Sequence, residues 1–344
     1  MSLIETIRAD ARETELRRAL DKALRDLERA HVKSAELAEA VYRAAQDGIA
    51  TLTLPPVPRP QTDKRKGKPE VAVAILSDWQ LGKRTPNYNT AVAEERVERL
   101  ARKIRELTAI QRAHHPVRHL HVWLLGDLVE GELIFPGQAH RIDASLYRQV
   151  TLDGPRILGS FLRTMAASFE AIHCFGVIGN HGAIGGGQRR EMHPETSADM
   201  MLYRIVQQLT ADQRRITWTL PETAGERAWY LIDQIGNYSC LLIHGDQIRG
   251  WAGIPWYGFK TKVPQWASGA IEPFGDVACG HFHQKTQMSF PGRRKARVNG
   301  TLESMNTYAQ ETLASVSDPS QTLLFVEPSR GIVTAEYDVY LGET

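Results

Sequence analysis

The sequence predicts a layered α/β protein with a two-sheet core, and three observations carry that prediction. Between about residues 71 and 209, continuous apolar runs alternate with amphipathic helical stretches. After Trp229 the period changes, and short strand-like runs follow one another as far as Tyr340. Asp, Asn and His recur directly behind several of these runs. Strand–helix alternation followed by strands suits helices packed on sheets, with a second sheet assembled late in the chain.

Residues 1–50 read as a helical extension rich in Ala, Leu, Glu and Arg. Leu16, Leu20, Leu24 and Leu27 make one apolar stripe at three- and four-residue spacing. That stripe is expected to pack on the body or on a second subunit, so a homodimer through this helix is an expectation. Its acids and bases are balanced, which argues against a nucleic-acid-binding arm. Residues 51–70 read as a solvated linker, broken by Pro55, Pro56, Pro58 and Pro60 and made basic by Lys64, Arg65, Lys66 and Lys68. The body is expected over 71–344. Its first strand is Val71 to Leu76, apolar throughout and so buried on both faces. A helix over 91–113, a strand over 119–125, a helix over 144–170, a strand over 171–178 and a helix over about 195–209 follow. Strands are then expected at 229–235, 238–243, 276–279, 287–290, 296–299, 322–326 and 332–340.

Composition narrows the function classes. A net charge of +2 over 344 residues means that any nucleic-acid affinity must come from a local patch. Cys174, Cys240 and Cys279 lie in or beside apolar runs, as buried thiols of a reducing compartment would. No apolar run reaches membrane-spanning length. The opening Met1-Ser2-Leu3-Ile4-Glu5 lacks the basic and apolar regions of a signal peptide, so a cytoplasmic protein is expected.

The chemistry collects behind the strands. Asp78-Trp79-Gln80, Gly126-Asp127, Gly179-Asn180-His181, His244-Gly245-Asp246 and Gly280-His281-Phe282-His283 each follow an apolar run. Ligands of open α/β sheets bind beyond the carboxyl ends of strands, so these five stretches converge if their strands share a sheet. His281 and His283 alternate along one line and point to one side of the chain. Carboxylate, amide oxygen and imidazole suit Mn²⁺, Fe²⁺, Zn²⁺ or Mg²⁺, and the lack of Cys argues against structural zinc. So many donors exceed one tetrahedral ion and suit two ions sharing a carboxylate, about 3.5–4 Å apart.

In this order the motifs resemble those of the calcineurin-like metallophosphoesterase superfamily. The resemblance spans about Val71 to Asn299. It implies a four-layer α/β/β/α sandwich of two mixed sheets, here with a helical N-terminal extension. It also implies that Asp78 and His283 bind a first divalent ion, that Asn180, His244 and His281 bind a second, and that Asp127 bridges them. A hydroxide held between the ions would attack phosphorus in line. His181 would contact the scissile phosphate and protonate the leaving oxygen. Gln80 stands where the family ordinarily has His. Its amide oxygen is a weaker, harder ligand, so a looser first site and Mn²⁺ ahead of Zn²⁺ are expected.

The motif implies phosphoester hydrolysis and leaves the substrate to the loops. Arg249 to Lys262 interleaves Trp251, Trp256, Tyr257 and Phe259 with Arg249, Lys260 and Lys262, a composition suited to stacking on bases or to forming an apolar lid. Lys83 and Arg84 follow Gln80, and Arg189 and Arg190 follow Gly185-Gly186-Gly187, as candidate phosphate contacts. Glu130 or His140 is expected in the metals' outer shell. Together with Gly126-Asp127-Leu128-Val129-Glu130-Gly131, the Trp-rich insert looks similar to metallophosphoesterases of phages and prophages. A phosphodiesterase acting on DNA is therefore the leading expectation. A small-molecule nucleotide phosphodiesterase or phosphomonoesterase, and a non-catalytic scaffold of the same fold, are the alternatives.

Overall fold

The computed structural model describes residues 57–342 apart from 133, 136, 185–192, 222–228, 251–254 and 305–317, together with positions 18, 22, 36, 39, 40 and 43, which are helical. The apolar stripe of the N-terminal extension, and with it the dimer expectation, lies outside the described residues.

Eleven strands form two sheets among the described residues. The first runs β11-β10-β1-β2-β3-β4, where β1 is Glu70–Leu76, β2 Val117–Leu124, β3 Ala171–Gly176, β4 Ile216–Thr219, β10 Ser320–Glu327 and β11 Ile332–Tyr340. The second runs β5-β6-β7-β9-β8, where β5 is Tyr230–Ile235, β6 Tyr238–Ile243, β7 Asp276–Cys279, β8 Thr286–Ser289 and β9 Lys295–Val298. Both are mixed. β1 to β4 are parallel neighbours while β10 joins β1 antiparallel, and β6, β7 and β9 are parallel while β5 and β8 are antiparallel.

The alternation of side chains along β1 defines the layers. Ala72, Ala74 and Leu76 face one apolar cluster with the helices α1 (Thr90–Gln111), α2 (Gly154–Ala166) and α3 (Ala198–Leu209). Val71, Val73 and Ile75 face the other sheet and meet Cys240, Leu242 and Ala278. On the second sheet Leu241, Ile243 and Val277 turn outward onto Phe259 and Val263 of α4 (Trp256–Gln265). The result is the α/β/β/α sandwich of two mixed sheets. All three cysteines are buried free thiols. Among the described residues no helix is long and apolar enough to cross a membrane.

Four differences from the sequence reading have local causes. The helix expected over 144–170 is broken: Leu146–Arg148 is followed by a π turn over Gln149–Asp153 before α2 begins. Strand β4 is too short, at four residues, to stand out by periodicity. The aromatic insert contains α4, whose Phe259 and Val263 are buried one turn apart. The described part of the linker is mostly exposed, as expected, but is pinned to the body at Asp63. Asp63 is buried, accepts from the Arg65 and Val117 amides, and is itself bound through its amide to Glu170.

Candidate metal centre

Five strand ends converge, but from two sheets. β1, β2 and β3 deliver Asp78, Asp127 and Asn180 from one sheet, while β6 and β7 deliver His244 and His281 from the other. Within each sheet the exit loops are tied side by side. The amides of Asp78 and Gln80 donate to the carbonyls of Gly126 and Asp127, at 3.1 and 3.0 Å, and the Gly280 amide donates to the His244 carbonyl at 2.8 Å. Across the sheets, the His281 amide donates to both Asp78 carboxylate oxygens at 3.0 Å.

Backbone geometry marks the same residues. Asp78, Gln80, Asp127, His281 and His283 all have φ between 46° and 70°, a region non-glycine residues seldom occupy. Such conformations cost on the order of 1–3 kcal/mol each and gather at functional sites. Two glycines make the close approach possible. A methyl group on Gly179 would collide with the Asp127 carboxylate, and one on Gly280 with that of Asp78.

One half of the centre has open donors. His244 is fully buried, with Nδ1 2.8 Å from the Leu125 carbonyl. A proton on Nδ1 leaves a lone pair on Nε2, which faces Asp127 Oδ2 at 3.0 Å, Asn180 Oδ1 at 3.0 Å and His281 Nδ1 at 3.2 Å. Asp127 Oδ2 has no hydrogen-bond donor. Ligand atoms of Asp127, His244 and His281 all lie within 4.8 Å of one another. Acceptors crowded together in this way require a cation, and the donor set fits a divalent ion. Protons occupy the same place in the metal-free chain. Burial alone would lower His244, but the Asp127 carboxylate outweighs it and pushes it up to about 9. His281, buried beside His244, is pushed down to about 3. Against its own burial, Asp127 is held well below the usual carboxylate range by His244 and His181.

The other half is closed. Gln80 Oε1 accepts from Lys83 Nζ at 2.7 Å, and its Nε2 lies 3.3 Å from His283 Nε2. Glu303 holds His283 Nδ1 at 2.6 Å and pairs with Lys83. Lys83, expected at the substrate surface, is thus set into the protein with its side chain 13% exposed. Burial would lower its pKa, but Glu303, Glu130 and Asp127 raise it instead. Gln80 therefore does not present its oxygen to an ion beside Asp78 and His283.

His181 joins the two halves, with its backbone amide on Asp127 and its ring between Glu130 and Gln80. Its amide donates to Asp127 Oδ1 at 2.7 Å, and its Nδ1 lies 3.1 Å from the Glu130 carbonyl and 3.2 Å from Glu130 Oε2. Its Nε2 is 3.5 Å from Gln80 Nε2. Burial opposes the charge, yet Asp127 and Glu130 raise His181 to about 9. Of the two residues expected near the site, Glu130 reaches His181, whereas His140 is exposed and offers its carbonyl to Arg84.

Two site residues were not anticipated. Asp199, in the first turn of α3, accepts the amides of Asp127 at 2.9 Å, Leu128 at 3.0 Å and Gly179 at 2.8 Å, so one carboxylate clamps two ligand loops. Glu303 anchors His283 and Lys83. An acid in the first turn of a helix was the available signal for Asp199; Glu303 has none in its neighbours.

The remaining candidate contacts divide. Arg84, Arg249 and Lys260 are exposed. Trp256 is 42% and Tyr257 76% exposed at the start of α4. The Phe282 ring connects that helix to the centre, edge-on to His281 at 5.0 Å and 6.4 Å from Phe259. Trp251, Arg189 and Arg190 lie outside the described residues.

Fold and site together define an α/β/β/α sandwich with a cation-binding centre at the shared ends of its two sheets. No protein-family model and no curated protein matches the chain. Among solved structures it is similar to a Vps29 single mutant from Entamoeba histolytica, at 15% identity over 78% of this chain and 98% of that one, TM-score 0.34. It is similar also to a dimetal phosphatase from Danio rerio, at 8% over 79% and 99%, TM-score 0.37. A 5′-nucleotidase from Candida albicans is matched at 10% identity over 81% of this chain and 53% of that one, TM-score 0.35. Identities this low leave the chemistry to be read from this chain's own residues.

Proposed function

We propose that the chain is a metal-dependent phosphodiesterase acting on nucleic acid, DNA in preference. The observation that carries the hydrolytic reading is His181. Its imidazole is tied through Nδ1 to Glu130, is held in the protonated range at neutral pH, and stands beside the open ligand set. A purely structural ion has no need of a protonated imidazole held next to its carboxylate ligand.

Asp127, Asn180, His244 and His281 would hold the divalent ion through two oxygens and two imidazole nitrogens, a set that suits Mn²⁺, the ion proposed here, and also Fe²⁺ or Zn²⁺. When bound, the ion supplies Lewis-acid polarisation of the phosphate and acidifies water. His181 gives its Nε2 proton to the departing oxygen, a contribution worth roughly 10²–10⁴-fold. Glu130 orients the ring and keeps it charged. The Asp127 carboxylate, fixed by the His181 amide and the Asp199 clamp, cannot swing away from the pocket.

The polymer reading is supported by α4. Trp256 and Tyr257 are exposed near Lys260 on the helix whose buried Phe259 neighbours Phe282, itself beside His281. Aromatic faces stack on bases at roughly 1–3 kcal/mol each, and lysines neutralise phosphates. The test compares end-labelled single- and double-stranded DNA with bis-p-nitrophenyl phosphate and p-nitrophenyl phosphate in Mn²⁺. DNA cleavage that weakens steeply between about 50 and 200 mM salt is the expected result. Cleavage of the small esters alone, insensitive to salt, moves the chain to the small-molecule phosphoesterases.

A further inference from the structure

We infer that the centre binds one divalent ion, and that the Lys83 ammonium is the resident cation where the resembling family places a second. The inference rests on the phosphodiesterase reading above and concerns how its site is charged.

Four side chains close a ring of hydrogen bonds on the Asp78 side. Glu303 pairs with Lys83 Nζ, Lys83 donates to Gln80 Oε1 at 2.7 Å, Gln80 Nε2 faces His283 Nε2 at 3.3 Å, and His283 Nδ1 returns to Glu303 at 2.6 Å. An ammonium has three donors and no acceptor, so it fixes the amide with its oxygen toward Lys83. That leaves the amide NH₂ for His283. His283 Nε2 either accepts from that NH₂ or, protonated, turns its proton to Asp78 Oδ1 at 3.4 Å. Neither arrangement offers a lone pair to an ion. Of Asp78, Gln80 and His283, only Asp78 keeps a carboxylate oxygen, Oδ2, with no side-chain partner in either arrangement. An ion entering here would have to break the ring and strip Lys83 from Glu303, leaving two cations to share one site.

Chemically, a fixed ammonium can stabilise charge on a phosphate without coordinating it. Gln80 is then a positioning residue, not a ligand. It holds Lys83, and its NH₂ group lies between His181 and His283.

The test counts ions on the full chain, by elemental analysis after equilibrium dialysis against Mn²⁺ and by electron paramagnetic resonance. One tightly held ion per chain, with an isolated six-line Mn²⁺ spectrum, is expected. Lys83→Arg keeps the cation and should keep one ion. Lys83→Ala frees Glu303 and Gln80 and should admit a second, spin-coupled ion. Two tight ions in the unaltered protein would overturn the inference while leaving the phosphodiesterase reading intact. Lys83→Ala remaining folded with one ion would overturn the assignment to Lys83. No bound ion in the unaltered protein would overturn the metal reading itself.

Discussion

At the residue scale, His181 and Asp199 do different work, and their variants should separate cleanly. His181→Ala removes the proton donor but none of the ligands. Metal content should be unchanged, while cleavage of DNA or a dinucleotide falls about 10²–10⁴-fold. Hydrolysis of p-nitrophenyl esters should fall much less, because that leaving group departs without a proton. Equal losses on both ester types would refute the role given to His181. The pH dependence has a definite sign. His181 acts as its protonated form, present below about 9 and lost above it, so the alkaline limb of the DNA-cleavage profile lies at or below about 9. Glu130→Gln removes a charge that raises His181 and should move that limb to lower pH. Asp199→Ala strands three buried amides, each worth roughly 1–3 kcal/mol, and should both destabilise the fold and weaken metal binding. Thermal melts of Asp199→Ala with and without Mn²⁺ check this. The residues that cluster at the centre were legible in the sequence because each lies in a short polar motif behind an apolar run. Glu303 was not, since it meets Lys83 and His283 only after two sheets have packed and nothing in its neighbours marks it; Lys83 was marked by its place behind Gln80, but as a phosphate contact and not as the partner of Glu303.

At the element scale, the strand ends set the geometry and the glycines allow it. Gly280→Ala and Gly179→Ala leave every ligand in place but push on Asp78 and Asp127. Gly179→Ala should cost metal affinity tenfold or more (about 1.4 kcal/mol per tenfold), which calorimetric titration would read directly. Gly280→Ala should disturb the Asp78 side instead, with a smaller effect on the bound ion. Helix α4 carries the polymer reading alone. Trp256→Ala with Tyr257→Ala should raise KM for DNA about tenfold or more and leave bis-p-nitrophenyl phosphate turnover unchanged. The body's strands were readable in outline, because β1 and β6 are nearly continuous apolar runs and β2 becomes one from Val122 onward. Convergence of the five strand ends did not require the single sheet that the sequence reading took as its condition. Three come from one sheet and two from the other, and β6 and β7 look no different in sequence from strands added to the first. The positive φ at five positions of the site was invisible for a related reason, since Asp, Gln and His there carry no glycine signal.

At the scale of the whole molecule, the centre couples stability to pH and to metal. Without an ion, His181, His244 and His283 are raised to about 9, 9 and 10 by neighbouring carboxylates. Each is a base raised above its unfolded value. The stability it contributes is therefore full below about 6.5 and lost as pH climbs through 9 to 10. The metal-free chain should melt at falling temperatures over that window. An ion must displace the His244 proton, so metal affinity should rise roughly tenfold per pH unit up to about 9. Added Mn²⁺ should thus restore the melting temperature most at alkaline pH, and a metal-free melt that is flat from pH 6.5 to 9.5 would contradict this. The sandwich itself was legible from the change of period after Trp229, whereas the docking of the linker through Asp63 depends on partners that only the fold supplies. The most direct test of the hydrolytic centre is diester hydrolysis against Mn²⁺ concentration for the unaltered chain and for Asp127→Ala. The account predicts a rate that rises with ion occupancy and vanishes, together with the bound ion, in the variant. A chain that binds its ion yet cleaves neither DNA nor any small phosphate ester, or an Asp127→Ala variant that hydrolyses as fast as the unaltered protein, would contradict it.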